Sequence, residues 1–438
     1  MKNPWQGLDS IVSWGEYCKN WFLHLKVKNS RNSRYFRDKT CEIKANSVEF
    51  IDVHTYFLAS TLTQALEKSQ KVIIIYGARQ TGKTTLCNSV LSNLGGKQLH
   101  LTGDDLSHVA RLSGASRQNL ELLTSGYNLV FFDEAQRFPD IGRSLKLLHD
   151  HNPSLKILVT GSASLEIAAH TRESLAGRTK TFQLHPISVL EYLPGATPYE
   201  LSEKLEALLL FGSYPEVLTL GNAQEKIKHL EELCESVLYK DLEDLLFLRN
   251  KTKLRNLLKL LAYQIGNLVS LNELATQLQL ARETVGHYIS LLEEAFIIFR
   301  LPGFSRNLRK EITKMDKIYF TDLGIRNALI NNFSPLHLRP DTGALWENFV
   351  IMERKKFLQY SGYSFEHQFW RTHTGAELDL VEQRDGKLKG FEIKWTPQKR
   401  RAPNTWTSTY PEAEFHLVTP LNLLPFLQEP DPRHPHQA

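Results

Sequence analysis

The chain has 438 residues, 42% of them hydrophobic and 23% charged, with a formal net charge of +5 and a pI near 8.8. That length calls for roughly two to four domains of ordinary globular composition. Its longest apolar runs, VIIIY and NLVFF, are too short to span a bilayer, the N-terminus has no apolar signal-peptide core, and Cys18, Cys41, Cys87 and Cys234 are too scattered for a disulfide framework or a zinc ligand set. These features argue against a membrane or secreted protein and place the chain in the reducing cytoplasm.

Residues 1–47 read as an extension distinct from the rest. They carry Trp5, Trp14 and Trp21, three of the seven tryptophans, and the basic run KVKNSRNSRYFRDK. The extension is either an amphipathic arm packed on the body or a partly disordered segment. The basic run is either a solvated stretch or a nucleic-acid contact.

Residues 48–198 read as a nucleotide-binding core. VIIIY is a short buried strand, and Gly77-Ala78-Arg79-Gln80-Thr81-Gly82-Lys83-Thr84 follows it in the pattern G-x-x-x-x-G-K-[ST]. A helix over Thr84–Leu94, with Thr85 in its first turn, stops at Gly95-Gly96. Such a loop turns its N–H groups, and the positive end of the helix, toward phosphate oxygens. ATP is the expected ligand, with Lys83 on the β- and γ-phosphates and the Thr84 hydroxyl on Mg2+. Further on, YNLVFFDEAQRF is an apolar strand that ends in an acid pair. Asp133 is expected to hold the Mg2+ shell, and Glu134 to orient and deprotonate the attacking water. LKILVTGSASLEI is a third strand whose end brings Thr160 and Ser162 near the γ-phosphate. Ser162 is a candidate phosphate sensor, a helix cap, or both. Arg79 lies inside the loop. Arg178, in LAGRTKTF, is either a transition-state arginine, in cis or across a contact in a homo-oligomer, or a surface salt-bridge residue.

Residues 199–262 are rich in helix formers and read as a helical lid or linker, broken at Gly212 and Pro215. In 263–335, Leu271, Leu274, Ala275 and Leu278 mark one amphipathic helix, and Val285, Ile289 and Leu292 a second. The strand AFIIFRL and the basic FSRNLRKEITK follow. Helix, turn, helix, then strands is a winged-helix pattern. The second helix carries Arg282, Glu283 and His287, whereas Arg306, Arg309 and Lys310 fall near the wing. The module is either architectural or a DNA-binding one.

Residues 336–425 contain GAELDLVEQRDGKLKGFEIKW, two alternating runs around a turn. Period two puts Phe391, Ile393 and Trp395 on one face and Glu392 and Lys394 on the other, so Asp379, Glu392 and Lys394 can converge. Residues 426–438 read as a flexible tail.

GARQTGKTTL, FFDEAQ, VTGSAS, AGR, FGSYPEV, FTDLGIRNAL, GALWENFV, WRTHTGAELDLV and FEIKW occur in that order. With these motifs the chain resembles the bacterial and archaeal AAA-like P-loop ATPases that carry the C-terminal domain of unknown function 4143, over roughly residues 48–420. The resemblance implies an α/β fold: a parallel P-loop sheet with helices on both faces, a winged helix, and an endonuclease-like domain of the PD-(D/E)xK type. In that fold Asp379, Glu392 and Glu347 would bind Mg2+ or Mn2+, and Lys394 would orient water and stabilise charge on the phosphate. The motif's proline is absent, and Glu377-Leu378 precede the acid.

Overall fold

The apolar runs become parallel strands because helices bury them on both faces. The strands are β1 (Val72–Tyr76), β2 (Gln98–Thr102), β3 (Leu129–Asp133), β4 (Lys156–Gly161) and β5 (Thr179–Gln183). They pair in the order β2-β3-β4-β1-β5, every pair parallel. Successive side chains alternate between faces. Val72, Ile74, Val130 and Val159 pack with Ile141, Leu145 and Leu148 of the helix Ile141–His151. Ile73, Ile75, Phe131 and Leu158 pack with the helices Phe57–Lys68 and Lys83–Ser92. β4 lies between β1 and β3, so the loops that leave these three strands open side by side at the C-terminal edge, where ligands of such sheets bind.

This computed structural model describes residues 57–114, 116–162, 175–236, 251–306, 315–384 and 386–428. The N-terminal extension, Arg309, Lys310, most of the C-terminal tail and the segment where a helix was expected after Ser162 lie outside them.

The chain then turns helical. Pro198–Phe211 opens on a capping box made by Thr197 and Glu200, and Gly212 ends it. Pro215–Thr219, Ala223–Ser236, Lys251–Tyr263, Leu271–Leu278 and Arg282–Glu294 follow. β6 (Ile298–Leu301) and β7 (Lys317–Phe320) form an antiparallel ribbon. β6 is shorter than the expected AFIIFRL because Ala295 ends the preceding helix and Phe296 turns through φ 57°. The helices 198–211 and 223–236 pack on Leu323–Leu329, just beyond β7, where the Asn327 side chain donates to the carbonyls of Leu209 and Leu210.

The long helix Thr342–Tyr360 is buried along most of its circumference. β8 (Glu366–Arg371), β9 (Glu377–Arg384) and β10 (Lys387–Ile393) form an antiparallel meander. The chain crosses through the helix Asn404–Thr409 to β11 (Glu414–Val418), which runs parallel to β10. These later segments share most of their core. One large apolar cluster joins helices, ribbon and C-terminal sheet between Val189 and Leu427, and Phe304, Trp370, Leu378, Val381, Leu388, Trp406 and Tyr410 form a smaller separate one. Among the described residues no helix is long and apolar enough to cross a membrane.

Candidate functional site

The loop from Gly77 to Thr84 joins β1 to the helix Lys83–Ser92. Gly82 caps that helix at φ 93°, a left-handed conformation that a side chain resists. The loop is held from within. The Thr81 hydroxyl donates to the Ala78 carbonyl at 2.9 Å, and Lys83 Nζ donates to Gly77 O at 3.0 Å and Ala78 O at 2.8 Å. Ala78 is buried, Arg79 is partly exposed, Gln80 takes φ 60°, and Thr85 faces solvent.

At the end of β3 both oxygens of Asp133 accept from the Thr84 hydroxyl, at 2.9 and 3.0 Å. The Thr160 hydroxyl, from β4, also donates to Asp133. A hydroxyl and a carboxylate side by side are donors of the kind a hard divalent cation takes, so Thr84 and Asp133 fit a Mg2+ carried in with a nucleotide. Glu134 follows in a left-handed conformation, φ 49° and ψ 47°. Two neighbours keep it there. Its N–H donates to Thr160 Oγ1 at 3.2 Å, and Gly103 packs so close that an added Cβ would stand 2.5 Å from the Glu134 carbonyl oxygen. Non-glycine residues held this way gather at functional sites. Gln136 Nε2 donates to the Glu134 carboxylate at 2.5 Å, and Gln136 Oε1 accepts from the Ser162 N–H at 3.4 Å. Gln136 thus joins the acid to the buried end of β4. Its place two residues after Glu134 in DEAQ was the signal for it.

Arg178 is not part of this site in cis. It precedes β5, its carbonyl accepts from the N–H of Val72 at the start of β1, and its guanidinium pairs with Asp150 at 2.7 Å. The hydrogen bond from Arg178 holds the Asp150 carboxyl at about 2. Arg178 therefore sits at the N-terminal edge of the sheet, and the nucleotide loop leaves the opposite edge.

The second expected site gathers at the C-terminal sheet. Asp379 lies on β9, Glu392 on β10, and Lys394 just beyond. Lys394 Nζ is 3.2 Å from Asp379 and 2.9 Å from Glu392, and Asp379 also accepts the Ile393 N–H at 2.8 Å. Arg400 stands 3.1 Å from Glu392. Glu347, on the long helix, accepts from Lys317 at 3.0 Å and from the Tyr319 hydroxyl at 2.5 Å. Lys317 also meets Glu377 at 2.6 Å. Burial, then the Asp379 charge, raise the Glu347 carboxyl to about 7, and the same two causes raise Glu392. Burial works against the charge on Lys394, but the carboxylates of Asp379 and Glu392 more than offset it and its pKa is raised. Among the described residues, however, no group of three or more His, Cys, Asp and Glu side chains is placed to hold a metal ion. Glu347, Asp379 and Glu392 are engaged by lysines instead, so in this arrangement the set does not fit a divalent cation. Sequence reasoning missed Lys317, Tyr319, Glu377 and Arg400. The spacing Lys317-x-Tyr319, one face of a strand, was the available hint.

The helix Thr342–Tyr360 ties the two regions together. Near its start stands Glu347. At its other end the Tyr360 hydroxyl accepts from His185 N at 2.9 Å, and Gln359 bonds the His185 ring at 2.9 Å and Gln183 at 3.3 Å. Leu184, next to His185, donates its N–H to Tyr76, the last residue before the nucleotide loop, at 2.6 Å. Between them Glu353 accepts the Val189 N–H at 2.7 Å and pairs with Lys356 at 2.7 Å, both side chains buried.

A glycine-rich loop on a central parallel strand, a Thr84–Asp133 pair and a strained glutamate define a P-loop nucleotide-binding site. Family models agree: one described as an AAA domain matches residues 69–193, and two described as domains of unknown function, DUF8612 and DUF4143, match 202–336 and 342–418. An uncharacterized protein of Mycobacterium tuberculosis is 31% identical over 343 residues, which cover 77% of this chain and 73% of that one. One from Methanocaldococcus jannaschii is 25% identical over 339 residues, covering 71% and 72%. The chain belongs to the AAA-like P-loop ATPase family with a C-terminal DUF4143 domain. Among solved structures, Thermotoga maritima RuvB aligns at TM-score 0.28 and 16% identity, over 56% of this chain and 89% of that one. Aquifex aeolicus DnaA aligns at 0.26 and 17%, over 54% and 87%. Likenesses that distant say nothing of function.

Proposed function

We propose that the protein hydrolyses ATP and couples that cycle to DNA handling through its later segments. The observation that carries the ATPase reading is the meeting of Thr84, Asp133, Thr160 and Glu134 beside the Lys83 loop. Lys83 would exchange the carbonyls of Gly77 and Ala78 for phosphate oxygens. Mg2+, when bound, neutralises phosphate charge, and Thr84 and Asp133 are the residues that would hold it. Glu134 would take the proton from the attacking water at its carboxylate, with Gln136 and the Thr160 anchor fixing its direction. The backbone N–H groups of the loop would orient the phosphates.

In this reading the chain divides as 48–198, 199–262, 263–335 and 336–425, and works in the cytoplasm. The order Leu271–Leu278, Arg282–Glu294, β6, β7 supports a winged-helix module. The convergence of Asp379, Glu392 and Lys394 on a mixed sheet beside a buried helix supports an endonuclease-like domain. The path from Tyr76 through Leu184, His185 and Tyr360 along the helix to Glu347 is a physical route by which nucleotide state can bias that domain.

A second reading, a nucleotide-dependent switch with an inert nuclease-like scaffold, is favoured by the lysine pairing of Glu347, Asp379 and Glu392. The experiment that separates the two follows labelled single-stranded, double-stranded and branched DNA with purified protein in Mg2+ or Mn2+, with and without ATP. Cleavage lost in Asp379→Ala supports DNA processing. ATP turnover with no cleavage on any substrate supports the switch, and no turnover sinks both.

A further inference from the structure

Four carboxylates crowd the C-terminal site, and each has a cationic partner. Lys394 serves Asp379 and Glu392, and Arg400 reaches Glu392 from the solvent side. Arg371 stands 3.4 Å from Glu377. Lys317 differs from these three in where it comes from and how deeply it sits. It arrives from β7, a ribbon outside the C-terminal sheet, and its side chain is only 3% exposed. Its ammonium lies between Glu347 and Glu377, at 3.0 and 2.6 Å, and 5.7 Å from the centre of the Phe369 ring.

We propose that Lys317 is a built-in cation that takes the place of a divalent metal on the Glu347 side of this cluster and keeps the site closed to Mg2+ and Mn2+ while β7 stays in position. A hard divalent ion is drawn by carboxylate charge that nothing else neutralises. Here four acids face four bases, so an added ion meets no net attraction. The ligand oxygen is also crowded. Tyr319, on the same face of β7 as Lys317, donates to the same Glu347 oxygen at 2.5 Å. Nor can Lys317 withdraw alone, because a buried ammonium without partners is strongly disfavoured. β7 itself is clamped. The Asn348 side chain, one residue after Glu347, bonds both the N–H and the carbonyl of Phe320 at 2.8 Å. Opening the site therefore means moving the ribbon with its lysine, and the ribbon belongs to the module read above as a winged helix. The inference builds on the endonuclease-like reading, but its test measures metal binding rather than cleavage.

The experiment is a Mn2+ titration of the nucleotide-free full chain, with free Mn2+ read by electron paramagnetic resonance. Asp379→Asn identifies the share that belongs to this site. The parent should show no site at millimolar Mn2+ that Asp379→Asn removes. Lys317→Met should gain one, tighter than any in the parent by about a hundredfold or more, since one charge in contact with two of the acids is gone. Lys317→Arg, which keeps the charge, should behave as the parent. A parent site sensitive to Asp379→Asn overturns the proposal. So does a Lys317→Met protein that unfolds cooperatively yet binds no more Mn2+ than the parent. If Lys317→Met does not fold, the parent against Asp379→Asn decides alone. Mn2+ binding by Lys317→Met without DNA cleavage upholds the closed-site proposal and counts against the nuclease reading only.

Discussion

Thr160→Val is the sharpest test of how the nucleotide site is built. The change is nearly isosteric and leaves every putting-together of apolar groups around β4 in place, but it removes one hydroxyl with two duties. That hydroxyl donates to Asp133 and accepts the N–H of Glu134, and Thr160 is fully buried. A buried N–H left without an acceptor costs about 1–3 kcal/mol. Glu134 sits in a left-handed conformation that this bond helps to hold, so the loss falls on the position of the proposed general base. Expressed wholly in the barrier, it slows turnover roughly 5- to 150-fold. Nucleotide affinity should change less than about tenfold, because the loop and Lys83 are untouched. Phosphate release at saturating ATP gives the first quantity and titration with a fluorescent nucleotide the second. Thr160→Ser keeps the hydroxyl and should stay within about threefold of the parent. Parent-like turnover in Thr160→Val would refute the reasoning, and so would a loss of nucleotide binding as complete as in Lys83→Ala.

Three further outcomes concern ion pairs and a buried histidine. Arg354 and Glu382 form a fully buried bidentate pair at 2.9 and 3.1 Å, so Arg354→Met should cost about 3–5 kcal/mol in urea unfolding, and the double change with Glu382→Met should recover most of it. Burial depresses the His185 pKa from 6.5 to about 3, so the unfolded chain binds a proton that the folded one refuses. Its contribution is whole above pH 6.5 and is lost as pH falls toward 3; between pH 6.5 and 5 that is about 2 kcal/mol, absent in His185→Gln. Arg178→Ala removes an exposed ion pair and should leave turnover within about twofold. A large fall in turnover at unchanged affinity, restored on mixing with a hydrolysis-dead partner that retains Arg178, would instead place that arginine across a subunit contact.

The sequence reveals what is local. Gly77–Thr84 and the strand before it are contiguous, so their shape could be read directly. The β9–β10 hairpin was legible for the same reason, through its turn and its alternation. Asp133 could be named because an acid at a strand end, after such a loop, has few other uses, and the structure sets it against the Thr84 hydroxyl. Lys317 was not legible. Its partners Glu347 and Glu377 are 30 and 60 residues away, and only the packing of the ribbon against the long helix and β9 joins them. The large core shared by helices, ribbon and C-terminal sheet was hidden likewise, since a hydrophobic pattern says that a face is covered but not by what. Arg178 could have been placed better. It precedes its strand, and ligands of parallel sheets sit where strands end.

The central claim is that this loop and acid pair hydrolyse ATP. The most direct measurement is phosphate release from MgATP by the purified full chain beside Lys83→Ala and Glu134→Gln, with nucleotide binding measured on all three. The parent should turn ATP over, Lys83→Ala should lose tight binding or turnover, and Glu134→Gln should keep binding with turnover slowed about a hundredfold or more. Turnover at the parent rate in Glu134→Gln, or none in a parent that binds ATP, would contradict it.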